Sequence, residues 1–88
     1  MELVFNQIDK NWVAEFEATS DFNLHLERES MGWLTVGQRT TSSGGYDESF
    51  KLPYDGRVID YDFGALVYPK WIKVTSSSKV VKGEVTFA

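Results

Sequence analysis

Cysteine is absent from the 88-residue sequence, proline occurs twice and histidine once. Without cysteine the chain can form neither a disulfide framework nor a thiolate metal site, and nothing in it reports the redox state of a compartment. A zinc site would also lack a second imidazole ligand, because His25 is the single histidine. These absences exclude disulfide-stabilised domains and zinc modules, and we expect no cofactor.

Long apolar runs are missing as well. No stretch reaches the about 18–20 apolar residues of a membrane-spanning helix. Met1 is followed by Glu2 and an alternating segment, not by the basic region and apolar segment of a signal peptide. The sequence therefore predicts a protein that is synthesised in the cytoplasm and has no membrane partner.

Positive charge is scarce and unevenly placed. The chain has 9 basic and 13 acidic residues, a net charge of −4, to which residues 1–56 contribute −6 and residues 57–88 contribute +2. Nucleic-acid binding depends on clustered lysine and arginine, so a nucleic-acid partner is not expected. The opposite signs predict attraction between the two halves or between neighbouring copies. The alternative interpretation is that solvated strand faces simply differ in sign.

A helical period of 3.6 residues is absent, whereas apolar and polar residues alternate repeatedly along the chain. The strands predicted from this pattern lie at 2–8, 12–18, 22–29, 33–39, 50–52, 58–63, 71–75 and 80–87. In the last of them, Val81, Gly83, Val85 and Phe87 are expected on one face. Short strands separated by turn residues every 8–12 positions predict an all-β antiparallel sandwich of seven to eight strands, immunoglobulin-like or jelly-roll in connectivity. We expect residues 1–88 to form a single domain.

The connections are marked by small and turn-forming residues. The longest loop is predicted at Thr40–Ser49, where two glycines and several hydroxyl residues disfavour a strand. Asp9–Asn11 and Pro53–Gly56 have the composition of turns. Pro69 cannot donate to a hydrogen-bond ladder, so it should mark a strand start, an edge or a bulge.

The stretch Arg57–Val74 is the densest in apolar and aromatic residues, and its alternation divides it into two faces. The residues expected in the core are Ile59, Tyr61, Phe63, Ile72 and Val74. Those expected on the outward faces, where a partner would make contact, are Asp60, Asp62, Lys70, Trp71 and Lys73.

The end of the chain resembles a known group of proteins. Residues 67–74, with the sequence VYPKWIKV, are followed by three serines and the alternating run from Val81 to Phe87. This arrangement resembles the closing hairpin of small all-β proteins associated with tailed-phage virions. The resemblance covers about a third of the chain and includes no functional motif. It implies a structural protein that decorates heads or forms fibres and acts as an oligomer.

Catalytic chemistry has few candidate residues. Nucleophilic catalysis through His25 requires a serine within hydrogen-bond reach and a carboxylate behind the ring, and the position of His25 on the polar side of a strand favours a solvated residue. Carboxylates two positions apart, which a strand separates by about 6.5–7 Å, fall in the range of glycosidase pairs. These pairs are Glu15 with Glu17, Glu27 with Glu29, and Asp60 with Asp62. A small sandwich offers little room for a substrate cleft, so we expect solvated faces and no enzyme.

Calcium is the one metal with a partial motif. The residues from Asp60 to Gly64 resemble the start of a calcium loop, but no glutamate follows at the twelfth position. Asp60 and Asp62 are the calcium candidates of this incomplete motif, and no metal site is expected.

Aromatic residues provide the candidate binding positions. Five of them lie in predicted loops or at positions that are not clearly inward, namely Trp33, Tyr46, Tyr54, Tyr68 and Trp71. Exposed rings stack on sugars or fill pockets of a protein partner, whereas the alternative is that these rings pack within the fold. The sequence therefore favours a non-enzymatic structural or interaction protein that binds itself or other structural proteins. The alternative is a carbohydrate-binding module that stacks a glycan on Trp33, Tyr54 or Trp71.

Overall fold

Alternating apolar and polar residues produce eight strands in the computed structural model, which describes residues 1–52, 56–64 and 69–88. The strands are β1 Asn6–Ile8, β2 Asn11–Ala18, β3 Phe22–Arg28, β4 Leu34–Arg39, β5 Asp47–Leu52, β6 Val58–Phe63, β7 Lys70–Ser76 and β8 Val80–Phe87. The described ranges contain no helix. All paired strands are antiparallel.

The strands form two packed sheets. One has five strands in the order β1-β2-β7-β4-β5, and the other has three in the order β6-β3-β8. Only the β1–β2 and β4–β5 connections join neighbours within a sheet, whereas the other connections cross between the sheets. The predicted antiparallel β-sandwich is therefore confirmed.

Apolar side chains from both sheets meet in one core. The buried members from the five-stranded sheet are Ala14, Phe16, Ala18, Leu34, Val36, Ile72 and Val74. Those from the three-stranded sheet are Phe22, Leu24, Leu26, Ile59, Phe63 and Val85. The Phe22 ring joins the two groups, because its centroid lies 5.2 Å from that of Phe16 and 4.9 Å from that of Phe63. Full burial of such a side chain contributes about 1.5–3 kcal/mol.

Tyr61 does not lie in the core, although Ile59, Phe63, Ile72 and Val74 do. Tyr61 is 38% exposed. It belongs to β6, an edge strand, and its ring lies at the rim of the core with its centroid 4.8 Å from that of Phe63. The prediction that Tyr61 lies in the core was wrong. Alternation predicts which face of a strand a residue occupies, but not where that strand lies in the sheet.

Strand β8 departs from strict alternation at its start. Glu27 pairs with Lys82, whereas Arg28 pairs with Val80, so the register shifts by one residue. Val81 is the extra residue of this β-bulge and is 67% exposed, while Val80 packs against the core. Placing Val81 on the inner face was wrong because nothing in the alternation marks the bulge.

The N-terminal segment is shared between the two sheets. Strand β1 pairs with β2, whereas residues 1–3 run along β8. The Leu3 N–H donates to the Gly83 carbonyl at 2.8 Å, and the Val85 N–H donates to the Met1 carbonyl at 2.8 Å. The strand predicted over residues 2–8 is therefore limited to Asn6–Ile8.

The loop between β4 and β5 is shorter than predicted. Strand β5 starts at Asp47, which pairs with Gln38, so the connection covers residues 40–46 and not Thr40–Ser49. The strand is also longer than the predicted 50–52. Pairing with the neighbouring β4 overrides the low strand propensity of the Asp-Glu-Ser sequence.

The turn predicted at Asp9 and the strand start predicted at Pro69 are both found. Asp9 has a φ of 57° in the turn before β2, a backbone conformation that aspartate tolerates through local hydrogen bonding. Pro69 immediately precedes β7, where its missing N–H breaks no ladder bond. Of the turn predicted at Pro53–Gly56, Gly56 has a φ of 94°, and the three residues before it lie outside the described residues.

Candidate interaction surface

The outer face of the three-stranded sheet carries an ordered array of polar and charged side chains. Strand β3 contributes Asn23, His25 and Glu27. Their cross-strand neighbours in β6 are Asp62, Asp60 and Val58. Their neighbours in β8 are Thr86, Glu84 and Lys82. We call these nine residues the polar face; its carboxylates outnumber its lysine by four to one.

Two side chains of the central strand hold the carboxylates of the edge strand β6. The Asn23 amide donates to Asp60 Oδ1 at 2.6 Å and to Asp62 Oδ1 at 2.8 Å. His25 Nδ1 lies 3.2 Å from Asp60 Oδ2, and His25 Nε2 lies 3.2 Å from Glu27 Oε2. The two aspartates are thereby fixed on the outer side of the sheet.

These contacts shift the acidities of both partners. Hydrogen bonds from Asn23 and then from His25 lower the pKa of Asp60. Hydrogen bonds to Glu27 and then to Asp60 raise the pKa of His25, against a smaller opposing effect of burial. His25 lies on the polar side of β3, as expected, with its side chain 28% exposed, and its ring bridges two carboxylates.

Two lysines near the polar face pair with carboxylates from the acidic half of the sequence. Lys82 Nζ lies 4.0 Å from Glu27 Oε2, and Lys79 Nζ lies 3.8 Å from Glu29 Oε1. Lys82 Nζ also lies 3.9 Å from Oε2 of Glu84, which belongs to its own half. The predicted attraction between the acidic and basic halves thus occurs within one chain. Exposed pairs of this kind contribute only about 0–1 kcal/mol each.

The geometry around His25 and the aspartates suits neither a nucleophilic triad nor a calcium loop. Both ring nitrogens of His25 face carboxylates and not a serine hydroxyl. The Asn23 amide, an N–H donor, occupies an oxygen of Asp60 and of Asp62 where a cation would need to coordinate. Among the described residues, no group of three or more histidine, cysteine, aspartate or glutamate side chains is arranged to hold a metal ion.

Two of the aromatic residues predicted to bind a partner, Trp33 and Trp71, lie at opposite ends of a strand pair. Trp33 and Trp71 are both half-buried. Trp33 directly precedes Leu34, which pairs with Ser76 at one end of the β4–β7 ladder, whereas Trp71 pairs with Arg39 at the other end. The two indoles therefore provide no common stacking platform. Tyr54 and Tyr68 lie outside the described residues.

Tyr46 lies among charged groups of the five-stranded sheet. Its ring centroid is 4.3 Å from the Arg39 guanidinium and 5.6 Å from Lys73 Nζ. Its hydroxyl is buried near the Glu15 carboxylate, and burial, followed by that carboxylate, raises the pKa of Tyr46. A half-buried ring contacted by two cations has little free face for a sugar.

Arg28 is a residue that the sequence reasoning missed. It is only 3% exposed, and its guanidinium lies at one end of the sandwich. The acceptors and distances are Trp33 O at 3.2 Å, Ser76 Oγ at 3.2 Å, Gly32 O at 2.9 Å and Gly56 O at 3.1 Å. Its position two residues after Leu26 continues the inward series of β3, which is the signal that could have identified it.

Comparison with known proteins gives no relative for this arrangement. No protein-family model, curated protein or solved structure matches the chain. In the described part of the chain, no helix has the length and apolar character needed to cross a membrane.

Proposed function

We propose that this chain is a non-enzymatic structural or interaction protein, made in the cytoplasm, that self-assembles or attaches to a larger particle such as a phage virion. The observation that carries the proposal is that two edge strands of the sandwich, β1 and β6, have no described strand on their outer side. Each edge presents an exposed apolar side chain, Ile8 at 56% and Val58 at 61% exposure. Unpaired backbone groups beside exposed apolar side chains favour pairing with another chain.

The geometry of the remaining candidates also supports a binding role without catalysis. His25 is held between Glu27 and Asp60, an arrangement that stabilises charge and activates no nucleophile. The carbohydrate-binding alternative loses support because Trp33 and Trp71 are half-buried at opposite ends of a ladder. A sheet edge is therefore the feature best suited to recognition.

The test of self-assembly is the molar mass of the purified chain, measured by light scattering after gel filtration over a range of protein concentrations. We expect a mass above the 10.0 kDa of one chain, rising with concentration. Ile8→Lys should lower this mass, because a charge on an edge strand blocks strand addition. Met31→Lys is the matched control, since Met31 is an exposed apolar residue outside the strands.

A monomer at every concentration would contradict self-assembly. An equal loss of mass in Ile8→Lys and Met31→Lys would show that association is non-specific and does not use the β1 edge.

A further inference from the structure

The two edges of the three-stranded sheet differ in how they are covered. Along β8, residues 1–3 of the same chain occupy the edge through the bonds from Leu3 N–H to Gly83 O and from Val85 N–H to Met1 O. Along β6, no second described segment pairs with the strand, whose partner is β3 alone. No described strand therefore covers the outer edge of β6.

The register identifies which backbone groups of β6 face outward. The Arg28 N–H donates to the Arg57 carbonyl at 2.8 Å, and this pair continues the register in which Leu26 lies opposite Ile59. In an antiparallel ladder, hydrogen-bonded pairs alternate with pairs that are not hydrogen-bonded to each other. The backbone N–H and C=O groups of Ile59, Tyr61 and Phe63 therefore point towards β3 and bond to it.

The remaining residues of β6 are Val58, Asp60 and Asp62, and their N–H and C=O groups point away from the sheet. All three side chains are exposed on the polar face. A strand added at this edge would form hydrogen-bonded pairs with these three residues, with Cα atoms about 5.5 Å apart and paired side chains on the same face. The side chains added opposite Asp60 and Asp62 would thus lie beside fixed carboxylates.

We propose that β6 accepts an extended segment of another protein as a fourth, antiparallel strand, and that this segment carries lysine or arginine at the alternate positions opposite Asp60 and Asp62. This inference rests on the proposed interaction function and names the edge and the chemistry of the partner. Backbone hydrogen bonds supply the pairing, and the two cations select the partner and its register.

A second copy of this chain is a poorer occupant of the β6 edge. The register that pairs Val58–Asp62 with the same residues of a copy, outward-facing residue to outward-facing residue, places Asp60 opposite Asp60 of the copy, and like charges directly opposite each other destabilise a sheet. The Asn23 and His25 hydrogen bonds that lower the pKa of Asp60 keep this carboxylate ionised at neutral pH. Self-pairing through β6 is thus disfavoured except in acid.

The test is a binding titration of the full chain with two labelled eight-residue peptides, followed by fluorescence anisotropy. In one peptide lysine alternates with threonine, and in the other glutamate replaces lysine. We expect the lysine peptide to bind, the glutamate peptide not to bind, and the affinity of the lysine peptide to fall between about 0.02 M and about 0.3 M salt.

The variants assign the binding to the β6 edge. The double variant Asp60→Asn with Asp62→Asn keeps the oxygens that accept from Asn23 and removes both charges, so it should weaken lysine-peptide binding about threefold to tenfold. Glu84→Gln is the matched control, because it removes a carboxylate from the same polar face but on β8. It should leave the affinity within about twofold.

Several outcomes would overturn the inference: no binding of the lysine peptide, equal binding by the double variant, an equal loss in Glu84→Gln, or dimerisation of the chain through β6 at neutral pH. If Ile8→Lys lowers the molar mass of the assembly while the lysine peptide does not bind, the proposed basic partner of β6 is wrong and the proposed function stands. If the lysine peptide binds a strictly monomeric chain, self-assembly is wrong and attachment to another protein stands.

Discussion

At the scale of single residues, Arg28 combines a charged side chain with almost complete burial. Its guanidinium satisfies three backbone carbonyls and the Ser76 hydroxyl from separate parts of the chain. Burial lowers its pKa, but an arginine remains charged in proteins. The hydrogen bonds of the Arg28 guanidinium therefore hold the β3–β4 connection, Gly56 and the end of β7 in fixed positions relative to one another.

Replacing Arg28 by methionine should destabilise the fold by about 2–4 kcal/mol, because several buried acceptors lose their donor at about 1–3 kcal/mol each and partly regain water. Arg28→Lys, which keeps the charge with a narrower set of donors, should lose less. The free energy of unfolding from urea titrations measures both. Lys79→Met on the exposed surface is the control. If Arg28→Met changes the free energy of unfolding by less than about 0.5 kcal/mol, the structural role of Arg28 is wrong.

His25 should make stability depend on pH above 6.5, the ordinary pKa of a histidine. Its pKa is raised in the folded state from the ordinary value of 6.5, so the stabilisation is fully present below 6.5 and disappears as the pH rises through the folded pKa. We expect wild-type stability to fall over this interval by less than about 1 kcal/mol. His25→Gln should show no such fall in urea titrations from pH 5 to pH 9. Parallel pH curves for the two proteins would refute the coupling of His25 to Glu27 and Asp60.

At the scale of strands, alternation predicted which face a residue occupies but not where its strand lies in a sheet. The inward series of β3, from Phe22 to Leu26, is central and fully buried, and it was predicted correctly. Tyr61 follows the same pattern on the edge strand β6 and is 38% exposed, although its neighbours on the same face, Ile59 and Phe63, are buried. Trp71 lies on the outer face of its strand, as expected. Its neighbours there, Glu17 and Arg39, are set by the register between strands, which cannot be read from the sequence of one strand.

Gly83 allows the N-terminal segment to lie against β8. A Cβ at this position would lie 2.7 Å from Phe5 Cε1, 3.3 Å from Leu26 Cδ2 and 3.3 Å from Leu3 Cβ. Phe5 can turn its ring away, but Leu26 is packed in the core and Leu3 is held by its bond to the Gly83 carbonyl. A side chain here must therefore displace residues 1–5 from the edge.

Gly83→Val should cost about 1–3 kcal/mol in unfolding free energy and should increase amide hydrogen exchange at Leu3. Gly45→Ala is the matched control, since a Cβ at Gly45 meets nothing within 4 Å. Unchanged protection of the Leu3 amide in Gly83→Val would show that the N-terminal segment does not depend on this close approach.

At the scale of the whole molecule, the fold class follows from local pattern and the site does not. Short alternating runs with frequent turns were enough to predict a sandwich. The pairing of β6 with β3, which brings Asp60 to His25, joins residues 35 positions apart in sequence. The separation of charge was visible in the sequence, but the ion pair of Lys82 with Glu27 depends on the pairing of β8 with β3.

The edge of β6 is the proposed binding site of the molecule. The most direct measurement is residue-resolved amide hydrogen exchange of the full chain, alone and with the alternating lysine peptide. In the free protein we predict fast exchange at Val58, Asp60 and Asp62 and slow exchange at Ile59 and its alternate neighbours, because only the second set bonds to β3. The lysine peptide should slow the first set. Uniform protection of β6 in the free protein, or unchanged fast exchange at Asp60 and Asp62 with saturating peptide, would contradict the account.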